Sequence, residues 1–551
     1  MESSYWARMM RARVARRRLL AGAGAAGLAG VIVACGGGGD GGTSGEPESR
    51  TDEDPGPPKY GGTLKIGYSG ASITNFDPHF GASGAEHQFF FAICDPIVGY
   101  DQKGQLDASL SLAEKWELPE PTRVTLKLRS GIKFHDGAEF SADDVKWNLE
   151  RIIDPSSGAT PRSDLASIDS VQVVNKNEVV IRLKEPSAPL LTNFGDRGGQ
   201  ILSRTSFEKV GKDGFRRSPV GTGPFILKQW VDDAYLVYEA NPNYWRKDAR
   251  GNKLPYLQTI RVELIPDATV RTAAFEAGDV DVVIGVPATE EKRLASDRNY
   301  QVVKFNGSGT TIWYMNHAFP PLDNVWFRRA LSSALDRESY IKNFLTGEEQ
   351  IATGFATPAS WAHDATIQNY NFDIAKAKEY LQRSGLPQSQ WRVRTQPFGA
   401  TISDAELFWQ TSAKEAGITI DYAEPERDGW QKRVLKGLGG DGSAGMYFSG
   451  LSLRVDPDGH LGLIYTQKGA YNSGQAPLPE VEPLIIKAKQ TYDLNERKSI
   501  YSEAQKKAVE NVYSAFLVTY GIARGFARKN VGNFRAWFGG EGKPRFANLW
   551  V

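Results

Sequence analysis

The sequence predicts an α/β fold for the part of the chain that follows residue 59. Short segments of alternating apolar and polar residues, typical of half-buried strands, recur between segments with apolar residues at helical spacing. Between residues 392 and 422 the order is strand, helix and strand with short connections, which indicates a lobe with some parallel pairing. A chain of 551 residues is longer than one hydrophobic core usually holds, so two or three domains are expected.

The strands are predicted from alternation, and the helices from the residues at their ends. Ser141 precedes two acidic residues and then apolar residues at helical spacing, which is typical of a helix N-cap. Asp373 is expected to begin a helix that ends near Gly385. Two more helices are predicted at 404–416 and 496–512. The predicted strands are 63–68, 124–128, 179–183, 261–265, 281–284, 392–396 and 418–422.

The N-terminus has the order of an export signal. Six arginines between residues 8 and 18 precede an uncharged stretch, 19–34, that is rich in Leu, Ala, Gly and Val. A basic region, a short apolar region and small residues before a cleavage point describe a secretory signal. The apolar stretch is shorter than the roughly 20 residues that span a bilayer. Residues 1–34 are therefore expected to be a signal peptide.

The end of this segment, Ile32-Val33-Ala34-Cys35, resembles the bacterial lipobox, in which the cysteine thiol receives a diacylglycerol. The resemblance implies that Cys35 is lipidated and becomes the first residue. The three arginines at 16–18 also resemble the twin-arginine export signature, so the export route stays open. Residues 35–59 are mostly Gly, Ser, Thr, Pro, Asp and Glu, which predicts a flexible tether that keeps an exported domain beside a membrane.

Composition argues against a nucleic-acid partner, an internal disulfide and a site of clustered histidine ligands. Without residues 1–34, which contain six Arg and one Glu, 60 basic and 64 acidic residues remain, so no basic excess points to nucleic acid. If Cys35 is lipidated, Cys94 is the remaining thiol and no internal disulfide can form. The six histidines are scattered without the close spacing of metal ligands. No cofactor is expected, although a metal could still be carried as a chelate.

Several segments form a series of motifs along the chain. The most specific of them is 128–145, LRSGIKFHDGAEFSADDV. The others are 60–64 (YGGTL), 75–79 (NFDPH), 112–117 (LAEKWE), 220–225 (VGTGPF), 241–245 (NPNYW), 320–323 (PPLD), 328–331 (RRAL) and 334–338 (ALDRE). In this order they resemble the large solute-binding receptors of bacterial ATP-driven importers for peptides, nickel and related solutes, the extracellular solute-binding protein family 5.

This resemblance implies a two-lobed periplasmic-binding-protein fold of type II, in its large three-domain variant, with hinge-linked lobes. Lobe one would comprise about 60–305 and 515–551, and lobe two about 306–514. The ligand is then trapped when the lobes close about the hinge. His135 and Asp136 are expected in a hairpin-like turn, and Gly137 and Gly221 in turns that need unusual backbone angles.

The resemblance also directs attention to residues 448–458. Peptide-binding members carry an acidic residue shortly before an Asp-Pro-Asp sequence, and that residue pairs with the free amine of the ligand. Here Asp456-Pro457-Asp458 matches, but Leu453 or Arg454 stands near the place of the upstream acid. Arg454 could bind a carboxylate or phosphate of the ligand, or pair with a neighbouring acid.

Other candidate ligand contacts are aromatic, because aromatic faces bind apolar and cationic groups without one fixed geometry. Each of them could instead pack in a core. Together with Arg454 and Asp456, the candidates are Tyr68, Phe76, Trp313, Tyr314, Trp430, Tyr447 and Phe448.

The expected function is that of a monomeric, lipid-anchored receptor that captures a peptide or peptide-like solute and delivers it to an ABC permease and its ATPase. Receptors for a sugar or metal chelate, and a peptide sensor or chaperone, are the alternatives. An extracellular hydrolase is a further alternative. The sequence contains no Gly-x-Ser-x-Gly, and the Ser130–Lys133 spacing lacks the companion motifs of serine acyl-enzymes.

Overall fold

The computed structural model describes residues 56–70, 73–81, 84–345, 347, 349–397, 402–424, 445–452, 454–469, 471–472, 476–535 and 545–551. The expected signal peptide, Cys35, the tether up to residue 55, Trp430 and Leu453 lie outside these ranges. No helix within them is long and apolar enough to span a membrane.

Strands and helices alternate along the described chain, as the sequence predicts. The strands are β1 Thr63–Tyr68, β2 Gly99–Tyr100, β3 Leu106–Asp107, β4 Ala113–Glu120, β5 Arg123–Leu128, β6 Ile168–Asn175, β7 Glu178–Leu183, β8 Phe225–Val231, β9 Tyr235–Ala240, β10 Thr259–Leu264, β11 Val282–Ile284, β12 Tyr300–Met315, β13 Arg392–Gln396, β14 Thr419–Tyr422, β15 Met446–Ser452 and β16 Ser514–Arg528. The helices are α1 Gly84–Ile93, α2 Ala142–Ile153, α3 Leu190–Asn193, α4 Arg204–Arg217, α5 Ala268–Ala277, α6 Ala288–Ser296, α7 Val325–Ser333, α8 Arg337–Phe344, α9 Ile374–Arg383, α10 Asp404–Ala416, α11 Asp458–Tyr465, α12 Glu482–Gln490 and α13 Leu494–Glu510.

One ten-stranded sheet runs through both lobes, in the order β14-β13-β15-β12-β16-β11-β1-β10-β9-β8. Its two longest strands, β12 and β16, pair antiparallel from one end to the other, with two register shifts between Asn306 and Ile312. Tyr300 lies opposite Arg528 at the lobe-one end, and Tyr314 lies opposite Ser514 at the lobe-two end. These two strands therefore connect the lobes and form the hinge between them.

The strand that returns to lobe one crosses later than expected. Residues 515–518 pack in the hydrophobic clusters of lobe two, together with Ile312 and Trp313. Antiparallel pairing explains this, because residues 514–520 lie opposite 309–314 and must share their lobe. The expected return to lobe one at residue 515 is thus too early.

A separate four-stranded antiparallel sheet, β4-β5-β7-β6, packs against α2 to form an accessory domain within lobe one. Helix α2 begins as predicted. Ser141 is its N-cap, and the Asp144 carboxylate accepts hydrogen bonds from the Ser141 N–H at 2.9 Å and hydroxyl at 3.1 Å in a capping box. The Val145 and Leu149 side chains are fully buried against the sheet.

The two glycines singled out in the sequence have different roles. Gly137 has φ of 88° in the turn where its N–H donates to Phe134 O at 2.9 Å, so the expected turn is confirmed. Gly221 does not have a positive φ, and that expectation is wrong. It is needed for close approach, because a Cβ at position 221 would lie 2.3 Å from Ile93 O.

Candidate ligand cleft

A salt bridge joins the two lobes at the cleft. Arg454 follows β15 in lobe two, and Asp164 lies in the 3-10 turn Thr160–Leu165, which follows α2 in lobe one. Arg454 Nη1 donates to Asp164 Oδ2 at 2.8 Å, and the two side chains are 27% and 14% exposed. Opposite charges from different lobes therefore meet where the cleft closes.

Further polar residues surround this pair. Burial alone would lower the pKa of Arg454, but the charges of Asp164 and Asp196 raise it above its ordinary value. Asp196 caps a short turn by accepting a hydrogen bond from the Arg197 N–H at 2.8 Å, and it forms a salt bridge with His87. Burial, with repulsion from Arg454, lowers the pKa of Arg197 although Asp196 opposes the shift. Lobe one thus presents both signs of charge to Arg454.

Two of the candidate aromatic residues lie behind this polar site. Tyr314 stacks on Tyr447, with ring centroids 4.4 Å apart and planes at 11°. The Tyr447 hydroxyl donates to the backbone oxygen of Tyr471 at 2.6 Å. Burial raises the pKa of the Tyr471 phenol, and the charges of Arg454 and Arg197 oppose that rise. Tyr471, which the sequence analysis missed, connects the aromatic pair to the charged residues.

Two other candidates pack on the opposite face of the lobe-two sheet. Trp313 lies 4.6 Å from Phe448 and 4.4 Å from Trp409 between ring centroids. Successive residues of a strand point to opposite faces, so Trp313 is directed away from its neighbour Tyr314. Trp313 is 1% exposed and belongs to a helix-covered core cluster.

Asp456 lies near Arg454 in sequence but pairs within lobe two. Its two carboxylate oxygens accept from Arg497 Nη1 at 2.8 Å and Nη2 at 2.9 Å. Arg497 and Asp456 are 0% and 2% exposed. Next to them, burial raises the pKa of Asp458 to about 6, with Lys489 opposing and Asp456 adding to the shift. The Asp-Pro-Asp segment is thus fixed by an internal ion pair.

The remaining candidates lie elsewhere. Tyr68 ends β1 and contacts Phe89 edge-on, at 5.5 Å between ring centroids. Phe76 is fully buried against Trp230 and Tyr238 in the lobe-one core. Trp430 and Cys35 are outside the described residues. As ligand contacts, all the candidate residues stay predictions.

Sequence reasoning missed the lobe-one side of the cleft. Asp164 has no motif around it, and it meets Arg454 only through the fold. One signal could have been found in the sequence. Two adjacent charged residues, Asp196 and Arg197, lie among three glycines, which indicates a tight polar turn. Within the described ranges, no three His, Cys, Asp or Glu side chains come together as metal ligands do.

The sequence profile described as "Bacterial extracellular solute-binding proteins, family 5 Middle" matches residues 108–472. The chain belongs to family 5. Its members found by sequence are binding proteins rather than enzymes, and this protein is a solute-binding protein with the type II fold of that family.

Relatives in this family have different stated ligands. Heme-binding protein A of Haemophilus influenzae is 29% identical over 435 residues, covering 73% of this chain and 77% of the relative. The dipeptide-binding protein of Escherichia coli is 27% identical over 444 residues, covering 73% of this chain and 79% of the relative.

Solved structures share the fold. The periplasmic binding protein DppA of Helicobacter pylori, in complex with peptide STSA, has a TM-score of 0.79 at 24% identity and covers 90% of this chain and 98% of its own. NikZ of Campylobacter jejuni, in complex with Ni(L-His), has a TM-score of 0.74 at 20% identity and covers 87% and 97%.

Proposed function

We propose that the protein is the lipid-anchored receptor of an ABC importer, and that it captures a peptide or peptide-like solute between its lobes for delivery to the permease and ATPase subunits. Family membership supports the receptor role, and the names of the dipeptide-binding relative and the peptide-bound structure support the peptide class. The observation that carries the proposal is the meeting of Arg454 and Asp164 across the cleft of a two-lobed solute-binding fold.

The charge pattern of the cleft suits a zwitterion. A short peptide has an amine at one end and a carboxylate at the other, and charge-assisted hydrogen bonds are about twice as strong as neutral ones. Asp164 and Asp196 can attract the amine, while Arg454 and Arg197 can attract the carboxylate. A solute with both charges would stabilise the closed form, in which residues of both lobes surround it.

A receptor for a non-peptide solute is the second candidate. The heme-binding relative and the nickel-histidine complex of a structural neighbour favour it. Sugar binding, peptide sensing and a chaperone role remain alternative uses of the same cleft.

Ligand class is tested by thermal unfolding of the purified protein with a tripeptide pool, nickel-histidine, heme and a set of sugars. A ligand at a hundredfold excess over its dissociation constant is expected to raise the free energy of unfolding by about 2.7 kcal/mol. If nickel-histidine or heme raises the free energy of unfolding and the tripeptide pool does not, the protein would be assigned as a receptor for a non-peptide solute.

The anchor is tested separately with Cys35→Ser. Loss of the acyl chain is expected to move the protein from the membrane fraction to the soluble fraction and to abolish labelling by radioactive palmitate. Continued labelling of the variant would overturn the lipid anchor and leave the proposed ligand class intact.

A further inference from the structure

Among the described residues, Arg454 uses one edge of its guanidinium and leaves the other available. Arginine has five N–H donors in a planar fork. In the described part of the chain, the Arg454 side chain makes one hydrogen bond, from Nη1 to Asp164 Oδ2 at 2.8 Å. Arginine and carboxylate often pair through two parallel bonds, which would occupy a whole edge. Here the edge formed by Nε and Nη2 makes no bond to those residues, while the side chain is 27% exposed.

The position of this guanidinium is set by the residues around it. Gly459, in the first turn of α11, lies against the stem of Arg454, because a Cβ at position 459 would be 2.5 Å from Arg454 Cδ. On the other side of the cleft, the backbone oxygen of Asp164 accepts from Asn193 Nδ2 at 2.9 Å. The arginine is thus supported by lobe two and oriented by lobe one, and little side-chain freedom remains to be lost when a second group binds.

A second cation, Arg197, lies near Arg454 beside the carboxylates of Asp164 and Asp196. Arg197 lies close enough to Arg454 for the two cations to repel each other, and that repulsion adds to the effect of burial in lowering the pKa of Arg197. An anion beside Arg454 would reduce this repulsion. Asp164 is already engaged by Nη1.

We infer that the Nε–Nη2 edge of Arg454 binds a carboxylate of the solute, with Asp164 acting as a positioning residue on the opposite edge. This inference rests on the proposed receptor function and specifies its ligand as a carboxylate-bearing peptide. Removing the charge of the ligand carboxylate should weaken binding by about tenfold or more, because a hydrogen bond to a charged group is stronger than one between neutral groups.

The test compares two tripeptide pools of the same composition, one with free C-terminal carboxylates and one with C-terminal amides. Titration calorimetry with the full-length protein gives the ratio of the two dissociation constants. In the wild type the acid pool is expected to bind at least about tenfold more tightly. Arg454→Met should bring this ratio close to one, and Arg454→Lys should leave part of it, because lysine keeps the charge without the fork.

Two controls separate recognition from closure and folding. Tyr492→Phe, which removes the hydrogen bond from the Tyr492 hydroxyl of lobe two to Pro121 O of lobe one at 2.7 Å, should weaken both pools equally and leave the acid-to-amide ratio unchanged. Thermal unfolding of both Arg454 variants verifies that they fold. Equal binding of acid and amide pools by the wild type overturns the carboxylate inference while the receptor function stands. Absence of binding by either pool overturns the peptide assignment and this inference together.

Discussion

At the scale of single residues, Arg454 and Asp456 show how neighbours in sequence acquire separate roles. Arg454 reaches across the cleft to Asp164 and keeps 27% of its side chain exposed. Asp456 turns into lobe two, where Arg497 binds it through two hydrogen bonds and Tyr501 contributes its hydroxyl oxygen as a third acceptor. Burying two charges is costly, and it is tolerated here because the pair is bidentate and further hydrogen-bonded.

Arg497→Ala is expected to lower the free energy of unfolding by about 3–5 kcal/mol, because it leaves the Asp456 carboxylate buried without its partner. The matched control is Arg392→Ala, which removes a pair with Asp421 whose members are 63% and 44% exposed. That change should cost less than about 1 kcal/mol. Urea denaturation of the three proteins makes the comparison, and equal losses for the two variants would contradict the structural role assigned to Arg497.

At the scale of elements, the segment 128–145 combines a turn with a helix start. The turn around Gly137 and the capping box of Ser141 depend on residues close in sequence, so their positions could be predicted without the fold. Gly221 differs because its backbone packs on the end of α1, where an added Cβ would meet Ile93 O and Cys94 Sγ. That contact joins elements more than a hundred residues apart, and the sequence pattern could not reveal it.

A pair of alanine variants separates these two roles. At Gly137 an added Cβ would meet open space. Alanine there should lower the free energy of unfolding by about 1–2 kcal/mol, because of the positive φ alone. At Gly221 an added Cβ would come 2.3 Å from a backbone oxygen, so the segment around Gly221 or the end of α1 must shift and the loss of stability should be larger. Thermal unfolding provides the measurement, and a smaller loss for Gly221→Ala than for Gly137→Ala would refute the close-approach explanation.

At the scale of the whole molecule, a second contact between the lobes accompanies the salt bridge at the cleft. The Tyr492 hydroxyl donates to Pro121 O at 2.7 Å and accepts from the Ser187 N–H at 3.2 Å. Nearby, the Ala188 N–H donates to Lys489 O at 2.8 Å. Tyr492 also packs on the hydrophobic core of the accessory domain. This contact stabilises the closed arrangement without involving the polar residues around Arg454.

Tyr492→Phe keeps the packing but removes both hydrogen bonds, and it should shift the protein towards open conformations. If the free energy that favours the closed form falls by about 1 kcal/mol, ligand binding should weaken by about fivefold, whatever the ligand. Small-angle X-ray scattering of the ligand-free protein should show a larger radius of gyration. Tyr60→Phe is the control, because the Tyr60 hydroxyl bonds to Lys253 O within lobe one. An unchanged radius for Tyr492→Phe would disprove the closing role.

Much of the fold could be predicted because its elements are specified locally. Strand β1, strand β13 and helix α10 begin and end where alternation and capping place them, and Asp373 caps α9 as expected. The family signature predicted the two lobes and the accessory domain. The later return of β16 to lobe one could not be predicted, since it depends on the register with β12, a strand about two hundred residues away.

The candidate site divides in the same way. By itself the sequence determined the family, and it drew attention to Arg454 because the residue departs from a family pattern. Only the tertiary structure decided that Arg454 meets Asp164, 290 positions away, while Asp456 meets Arg497 inside lobe two. The physical reason is range: periodicity and capping act over a few residues, whereas side chains brought together across a cleft depend on how two independently packed lobes close on each other.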